Sequence, residues 1–233
     1  DKYVWDAMAE DDRVVFSRLS PDGEEGYPGA LYAKVTYAFS EDNVLTISYG
    51  AAADADTVVN LTNHAYWNLS GGGNVLGHYL TVFSDRFCEN GPGCLPTGRL
   101  IPVGGTPFDF TSAKPLGRDI GAAQPQLAVG GGYDHNYVLG VSPEERPAAE
   151  LYSPDTGIRM RVSTTSPGMQ VYTGNFIGSR RGKGGARYES RYAVCLETQQ
   201  YPDAPNRPEF PSAALPRGEK LFHRTAFAFT TEG

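Results

Sequence analysis

Hydrophobic residues recur at every second position along much of this chain, the pattern of half-buried β-strands. In ALYAKVTYAFS, Leu31, Ala33, Val35, Tyr37 and Phe39 fall on one face and Tyr32, Lys34 and Thr36 on the other. The turn residues Glu41, Asp42 and Asn43 lead into VLTISYGAAA, which alternates again. The two segments are predicted to form an antiparallel hairpin with a three-residue connection. Further strands are expected in DRVVFSRLS, HYLTVFSD, YDHNYVLG, AAELYSPD, GIRMRVSTT, MQVYTGNF, YAVCLETQQ and LFHRTAFAFTT. AAELYSPDTGIRMRVSTT reads as a second hairpin with Asp155, Thr156 and Gly157 at its tip. Turn clusters such as PDGEEGYPG punctuate the strands. Only PLGRDIGAAQPQL leaves room for a short turn of helix. Roughly a dozen strands without interleaved long helices predict an all-β sandwich or barrel. No internal repeat or low-complexity linker divides the chain, so residues 1–233 are expected to form a single domain.

One segment departs from clean alternation. VVNLTNHAYWNLSG, residues 58–71, crowds Asn60, Thr62, Asn63, His64 and Asn68 around Tyr66 and Trp67. Asparagine is a poor strand former, and each polar group taken out of water needs a partner. Read as extended backbone, it places His64, Tyr66 and Asn68 on one face and Asn63, Ala65 and Trp67 on the other. An imidazole, a phenol and an amide thus share one surface, either satisfying one another and the nearby turns or serving a ligand.

Composition and charge narrow the chemistry. A net charge of −7 and no basic run denser than SRRGKGGAR make nucleic acid a poor partner. No apolar run approaches the roughly 18 residues that a bilayer-spanning helix needs, and no signal peptide opens the chain. A cytoplasmic location is expected. The three cysteines, Cys88, Cys94 and Cys195, have no zinc-like spacing. Cys88 and Cys94 could pair across CENGPGC, but reduced thiols are expected. There is no metal-ligand cluster, phosphate-binding glycine loop or serine-nucleophile elbow in the sequence.

Three more polar clusters stand out. In YAVCLETQQYPDAPN, alternation sets Val194, Leu196 and Thr198 against Cys195, Glu197 and Gln199, so Glu197 is either a solvated strand-end residue or a candidate base near a loop-lined rim. Burial there would raise its pKa. In GGGYDHNYVLG, three glycines release a strand on which Asp134 and Asn136 face away from His135. In SPGMQVYTGN, Gln170 and Tyr172 share a face. Amide, carboxylate, imidazole and aromatic groups with few cations suit sugar hydroxyls and pyranose C–H faces. The residues themselves thus point to a carbohydrate-binding β-protein with an acid/base pair.

These stretches resemble the aldose 1-epimerase (galactose mutarotase) family. The likeness runs in order through DGEEGYPG, VNLTNHAYWNLSG, PTGRLIPVGGTPFDF, GGYDHNYVL, TTSPGMQVYTGN and CLETQQYPDAPNRPEFPSAALPRGE, covering most of the chain. It implies a large antiparallel β-sandwich, a supersandwich, with an open sugar cleft on one sheet. The implied activity interconverts α and β anomers of hexoses such as galactose and glucose, with no cofactor and a small-molecule hexose as partner. By motif, His64 of NHAYWNL is implied as general acid and Glu197 of LETQ as general base. Asp134 of YDHN would grip sugar hydroxyls, with Tyr66 and Gln170 lining the cleft. Family members also carry an upstream arginine and a second histidine in an HGG segment. The chain opens at DKYVWDA, which resembles the family's stretch immediately C-terminal to HGG, so N-terminal strands are expected to be missing and the sandwich open along one edge. Two further readings are a sugar-binding homologue without turnover and a hexose-6-phosphate epimerase. The latter needs a cluster of arginines for the phosphate; Arg180, Arg181 and Arg187 are the only local candidates, and they read as loop charges.

Overall fold

The computed structural model describes residues 2–231. In chain order its strands are β1 (Asp6–Ala9), β2 (Arg13–Ser20), β3 (Leu31–Phe39), β4 (Val44–Ala53), β5 (Thr57–Val58), β6 (Tyr79–Val82), β7 (Arg86–Asn90), β8 (Pro96–Pro102) and β9 (Lys114–Pro115). After one short helix, α1 (Pro125–Gly130), come β10 (Asp134–Val138), β11 (Arg146–Tyr152), β12 (Ile158–Thr164), β13 (Gly168–Tyr172) and β14 (Arg180–Arg181). The chain ends with β15 (Arg187–Tyr188), β16 (Cys195–Gln199), β17 (Ala214–Leu215) and β18 (Lys220–Thr231). Nine strands form one sheet in the order β1-β2-β3-β4-β18-β12-β11-β6-β9, and five form another in the order β16-β13-β10-β7-β8. Every pairing is antiparallel.

The predicted hairpins form in register. Ser40 N–H donates to Val44 O and Asn43 N–H to Ser40 O, closing a three-residue loop between β3 and β4. Asn43 takes the left-handed conformation at φ 59° that such a loop requires. In the β11–β12 hairpin, Gly157 N–H donates to Ser153 O at the predicted tip.

The core lies between the two sheets. Ile47, Tyr49, Leu80, Leu151, Met160 and Phe227 reach in from the larger sheet, and Phe87, Tyr137, Met169, Val171 and Leu196 from the smaller. A hydroxyl chain crosses the same interior: Thr164 Oγ1 lies 3.0 Å from Thr225 Oγ1, which lies 2.5 Å from Thr198 Oγ1. It ties β12 and β18 of one sheet to β16 of the other, at the residue beside Glu197. His135 sits in this core against Phe87 and Phe108. Burial drives its pKa down to about 4, so it is a neutral packing residue.

Beyond Val58, which pairs with Ala214 of β17, the crowded segment is extended but forms no ladder. Val59 N–H still donates to Ala213 O, and between Asn60 and Asn68 its one backbone bridge is Trp67 to Val194. Side chains replace the ladder along the open edge of β16. The Asn60 amide donates to Gln200 O and accepts from Gln200 N–H, as a peptide unit would. Thr62 Oγ1 donates to Thr198 O, and Asn63 Nδ2 donates to the Tyr49 hydroxyl. Asn68 Nδ2 bridges Gly73 O and Tyr192 O. The polar crowding therefore serves structure at Asn60, Thr62, Asn63 and Asn68. Asn60 and Thr62 cover the edge of β16, which would otherwise expose unpaired groups. At the far end of the larger sheet, β1 is the edge strand and all four of its residues are exposed.

Candidate active site

Three central residues are placed by strand register in the smaller sheet. Asn136 pairs with Gln170, and Gln170 with Glu197; Asp134 pairs with Tyr172, and Tyr172 with Cys195. Directly paired residues point to the same face of a sheet. Asp134, Gln170 and Glu197 therefore rise together from β10, β13 and β16, on the side away from the core. The start of β10 depends on backbone that only glycine fits. Gly132 has φ +143°, and a Cβ there would meet Asn175 Oδ1 at 2.4 Å. Asn175 Nδ2 in turn donates to Gly130 O and Tyr133 O, fixing the turn that launches Asp134.

His64 reaches this face from the laced segment. Its Nε2 stands 3.6 Å from Glu197 Oε1, with the imidazole about half exposed at 51% and the carboxylate 10% exposed. That gap is too long for a good hydrogen bond, so both groups remain available to a third. The Tyr66 ring stacks on His64 at 4.9 Å between centroids, and Tyr172 meets His64 edge-on at 6.1 Å. Trp67, on the other face of the same segment, packs against Phe227 and Phe229. The predicted division of faces holds for His64, Tyr66 and Trp67.

Burial sets the electrostatics. Glu197 is raised to about 7, first because it is taken out of water and second because Asp134 is charged nearby. Asp134 is raised as well, chiefly by burial, while the hydrogen bond from Gln170 pulls it back down. That bond, Gln170 Nε2 to Asp134 Oδ1 at 2.7 Å, occupies one carboxylate oxygen. A base with a pKa near neutrality, a half-exposed imidazole beside it and an oriented carboxylate suit proton transfer at a neutral polyol. The structure thus brings together His64, Glu197, Asp134, Tyr66 and Gln170.

Two features of the surroundings were not legible in the sequence. Cys195 lies beside the pair: one ligand-type atom each from His64, Cys195 and Glu197 all lie within 4.8 Å of one another. Its place two residues before Glu197 on one strand face was the available signal. The glycine-rich basic stretch is the second. It folds into the β14–β15 hairpin and, with Tyr66, Tyr172 and Phe176, lines a cavity of about 700 Å³ through Arg180, Lys183 and Arg187. These cations are therefore not simply loop charges, since Tyr66 and Tyr172 are shared between the cavity wall and the surroundings of His64. All three cysteines are free thiols. Among the described residues no helix is long and apolar enough to cross a membrane.

The family model described as aldose 1-epimerase matches residues 2–228. The galactose mutarotase of Sus scrofa is 42% identical over 233 residues, covering 99% of this chain and 66% of the relative. The aldose 1-epimerase of Escherichia coli (strain K12) is 37% identical, covering all of this chain and 68% of that protein. A solved aldose epimerase homologue from C. elegans superposes with a TM-score of 0.88 at 30% identity, over 98% of this chain and 69% of its own. The chain thus spans just under two thirds of the mammalian relative it matches. It belongs to the aldose 1-epimerase family.

Proposed function

We propose that this protein interconverts the α and β anomers of aldohexoses, with Glu197 as general base and His64 as general acid. The observation that carries this is the 3.6 Å separation of His64 Nε2 and Glu197 Oε1 on an open sheet face. Mutarotation needs a proton taken from the C1 hydroxyl while the ring oxygen gains one. Both oxygens are bonded to the same carbon, so the acid and the base must stand side by side with neither tied up by the other. Glu197 accepts the hydroxyl proton and His64 donates to the ring oxygen; the ring opens to the aldehyde. After rotation about C1–C2, His64 takes its proton back from the hydroxyl as it closes the ring, and Glu197 returns its proton to the carbonyl oxygen. Both groups end as they began, and nothing is oxidised or transferred. A base with a pKa near 7 gives and takes a proton with little driving force in either direction, as a reversible reaction near neutrality requires.

The remaining residues would hold the sugar. Asp134, steadied by Gln170, keeps an oxygen for a sugar hydroxyl, and the exposed Tyr66 ring offers a face for pyranose C–H groups. Polarimetry on freshly dissolved α-galactose and α-glucose is expected to show anomer equilibration well above the buffer rate. Galactose binding by calorimetry with only background equilibration would overturn the catalytic reading in favour of a sugar-binding homologue.

A second reading has its own observation. The cavity beyond Tyr66 and Tyr172 carries Arg180, Lys183 and Arg187 in its wall, which favours hexoses bearing an anionic group such as a phosphate. A charge-assisted hydrogen bond contributes about 1.5–3 kcal/mol. The double variant Arg180→Ala, Lys183→Ala is therefore expected to lose about 10-fold or more in kcat/KM for glucose 6-phosphate relative to glucose. Equal losses on both sugars would remove this reading.

A further inference from the structure

Cys195 is the group beside the acid–base pair that mutarotation does not use. It shares a strand face with Glu197, two residues on, and its sulfur, His64 Nε2 or Nδ1 and a Glu197 oxygen all lie within 4.8 Å of one another. The imidazole–carboxylate distance is 3.6 Å. Tetrahedral zinc holds nitrogen and oxygen ligands at about 2.0–2.2 Å and sulfur at about 2.3 Å, which sets its ligands roughly 3.3–3.7 Å apart. The observed spacing is thus within about 1 Å of a zinc site. The movable member is His64, half exposed and on a segment whose nearest backbone bridge is at Trp67.

We propose that His64, Cys195 and Glu197 form an inhibitory site for a divalent cation of zinc type, which arrests the protein by occupying the two groups that move protons. One imidazole nitrogen, one thiolate and one carboxylate leave a fourth position for water, and this mixed donor set selects zinc-like ions over magnesium or calcium. On binding, the Cys195 thiol releases its proton to solvent, and the sulfur, nitrogen and oxygen lone pairs are donated to the metal. Without metal, burial and the charges of Glu197 and Asp134 keep that thiol protonated. A dication reverses this, since a coordinating thiol is deprotonated outright. The same two carboxylates give the position a negative field that draws cations in. Binding consumes the lone pair that Glu197 needs as base and the nitrogen that His64 needs as acid. The inhibitory half of the proposal rests on the acid–base reading above; the binding half does not.

Cobalt(II) is the probe, because sulfur-to-cobalt charge transfer reports a thiolate ligand directly. One equivalent of Co²⁺ is expected to produce that absorption in the near ultraviolet. Zn²⁺ should displace it, galactose should weaken it, and Mg²⁺ should have no effect. Loss of a partner outside the ligand shell already costs about 10–100-fold in metal affinity. Cys195→Ser is accordingly expected to abolish the band and weaken binding by about 100-fold or more, and His64→Ala, altered at a half-exposed ring, should weaken it similarly. In the rate arm, stoichiometric Zn²⁺ should cut wild-type mutarotation at least about 10-fold and leave Cys195→Ser turning over. No saturable Co²⁺ binding, or a band that survives Cys195→Ser and so belongs to Cys88 or Cys94, overturns the site. A wild-type rate unmoved by bound Zn²⁺ overturns the inhibition. A protein that shows the band but never equilibrates α-galactose keeps the metal site and refutes the acid–base reading instead.

Discussion

Glu197→Gln is expected to lower the mutarotation rate about 10²–10⁴-fold, the usual contribution of one positioned general base. Glutamine keeps the shape and one carbonyl acceptor but cannot take a proton, so the loss should fall on kcat with little change in KM. His64→Asn should lose a similar factor by removing the acid. In the wild-type protein the base must be ionised to begin the reaction. Because burial and the charge of Asp134 bring Glu197 to about 7, the rate should fall as the pH drops through 7, not through the ordinary carboxylate range. Polarimetric rates between pH 5 and 8 check this, and a rate still level at pH 5 would remove Glu197 as the base.

The same substitution should stabilise the fold above neutral pH. Glu197 is raised in the folded protein relative to an ordinary carboxyl near 4.5. Its neutral form is thus favoured by folding below 4.5, and that advantage is lost as the pH rises through 7. Above 7 a buried carboxylate is carried at a cost, and at 1.36 kcal/mol per pKa unit the ceiling is about 3 kcal/mol. Glutamine carries no such charge. Glu197→Gln is therefore expected to unfold later than wild type in urea at pH 8 and indistinguishably at pH 4. A residue kept costly for stability and needed for rate is the mark of a working group and not of packing.

The sequence made some of this legible and hid the rest for physical reasons. Alternation located β3 and β4 because each has one face on the core, and Asn43 in the loop between them supplied the left-handed residue. β7 escaped because Phe87 and Cys88, adjacent in sequence, are both buried; a strand covered on two sides has no period of two. β8 escaped because it holds two prolines and a glycine, which an edge strand tolerates. Within the candidate site, residue types and strand faces singled out His64, Glu197, Asp134 and Gln170 as candidates, but only register puts Gln170 opposite Glu197. The Asn-rich segment read correctly as extended with two faces. That its amides and the Thr62 hydroxyl substitute for ladder bonds was not legible, because their partners at Tyr192, Thr198 and Gln200 lie far along the chain. The cavity cations were hidden for another reason: two-residue strands such as β14 and β15 leave no periodic trace.

Trp67→Ala is expected to cost about 3 kcal/mol in stability and, in the protein that remains folded, to slow turnover about 10-fold or more. The indole is partly buried against the core, 5.0 Å from the Phe227 ring and 5.7 Å from Phe229, while its backbone makes a two-way bridge with Val194. Truncating a large aromatic at such a position removes its contacts and leaves a cavity, with costs of about 3–5 kcal/mol; partial burial puts Trp67 at the low end. The catalytic effect comes from chain geometry. His64 is carried on a stretch with no ladder of its own, anchored by Thr62 and Asn63 on one side and by the Trp67 bridge on the other. Loosening one anchor lets the imidazole drift from Glu197, and a misplacement of about 1 Å can cost on the order of 10²-fold in rate. Trp67→Phe separates the two contributions. It keeps a ring against Phe227 and removes an indole N–H that is buried without a partner, so the fold should lose only about 1–2 kcal/mol and the rate should stay close to wild type. Urea midpoints and polarimetric rates of the two variants decide the matter. If Trp67→Ala is destabilised but turns over normally at a temperature where it is folded, Trp67 packs the core without positioning His64.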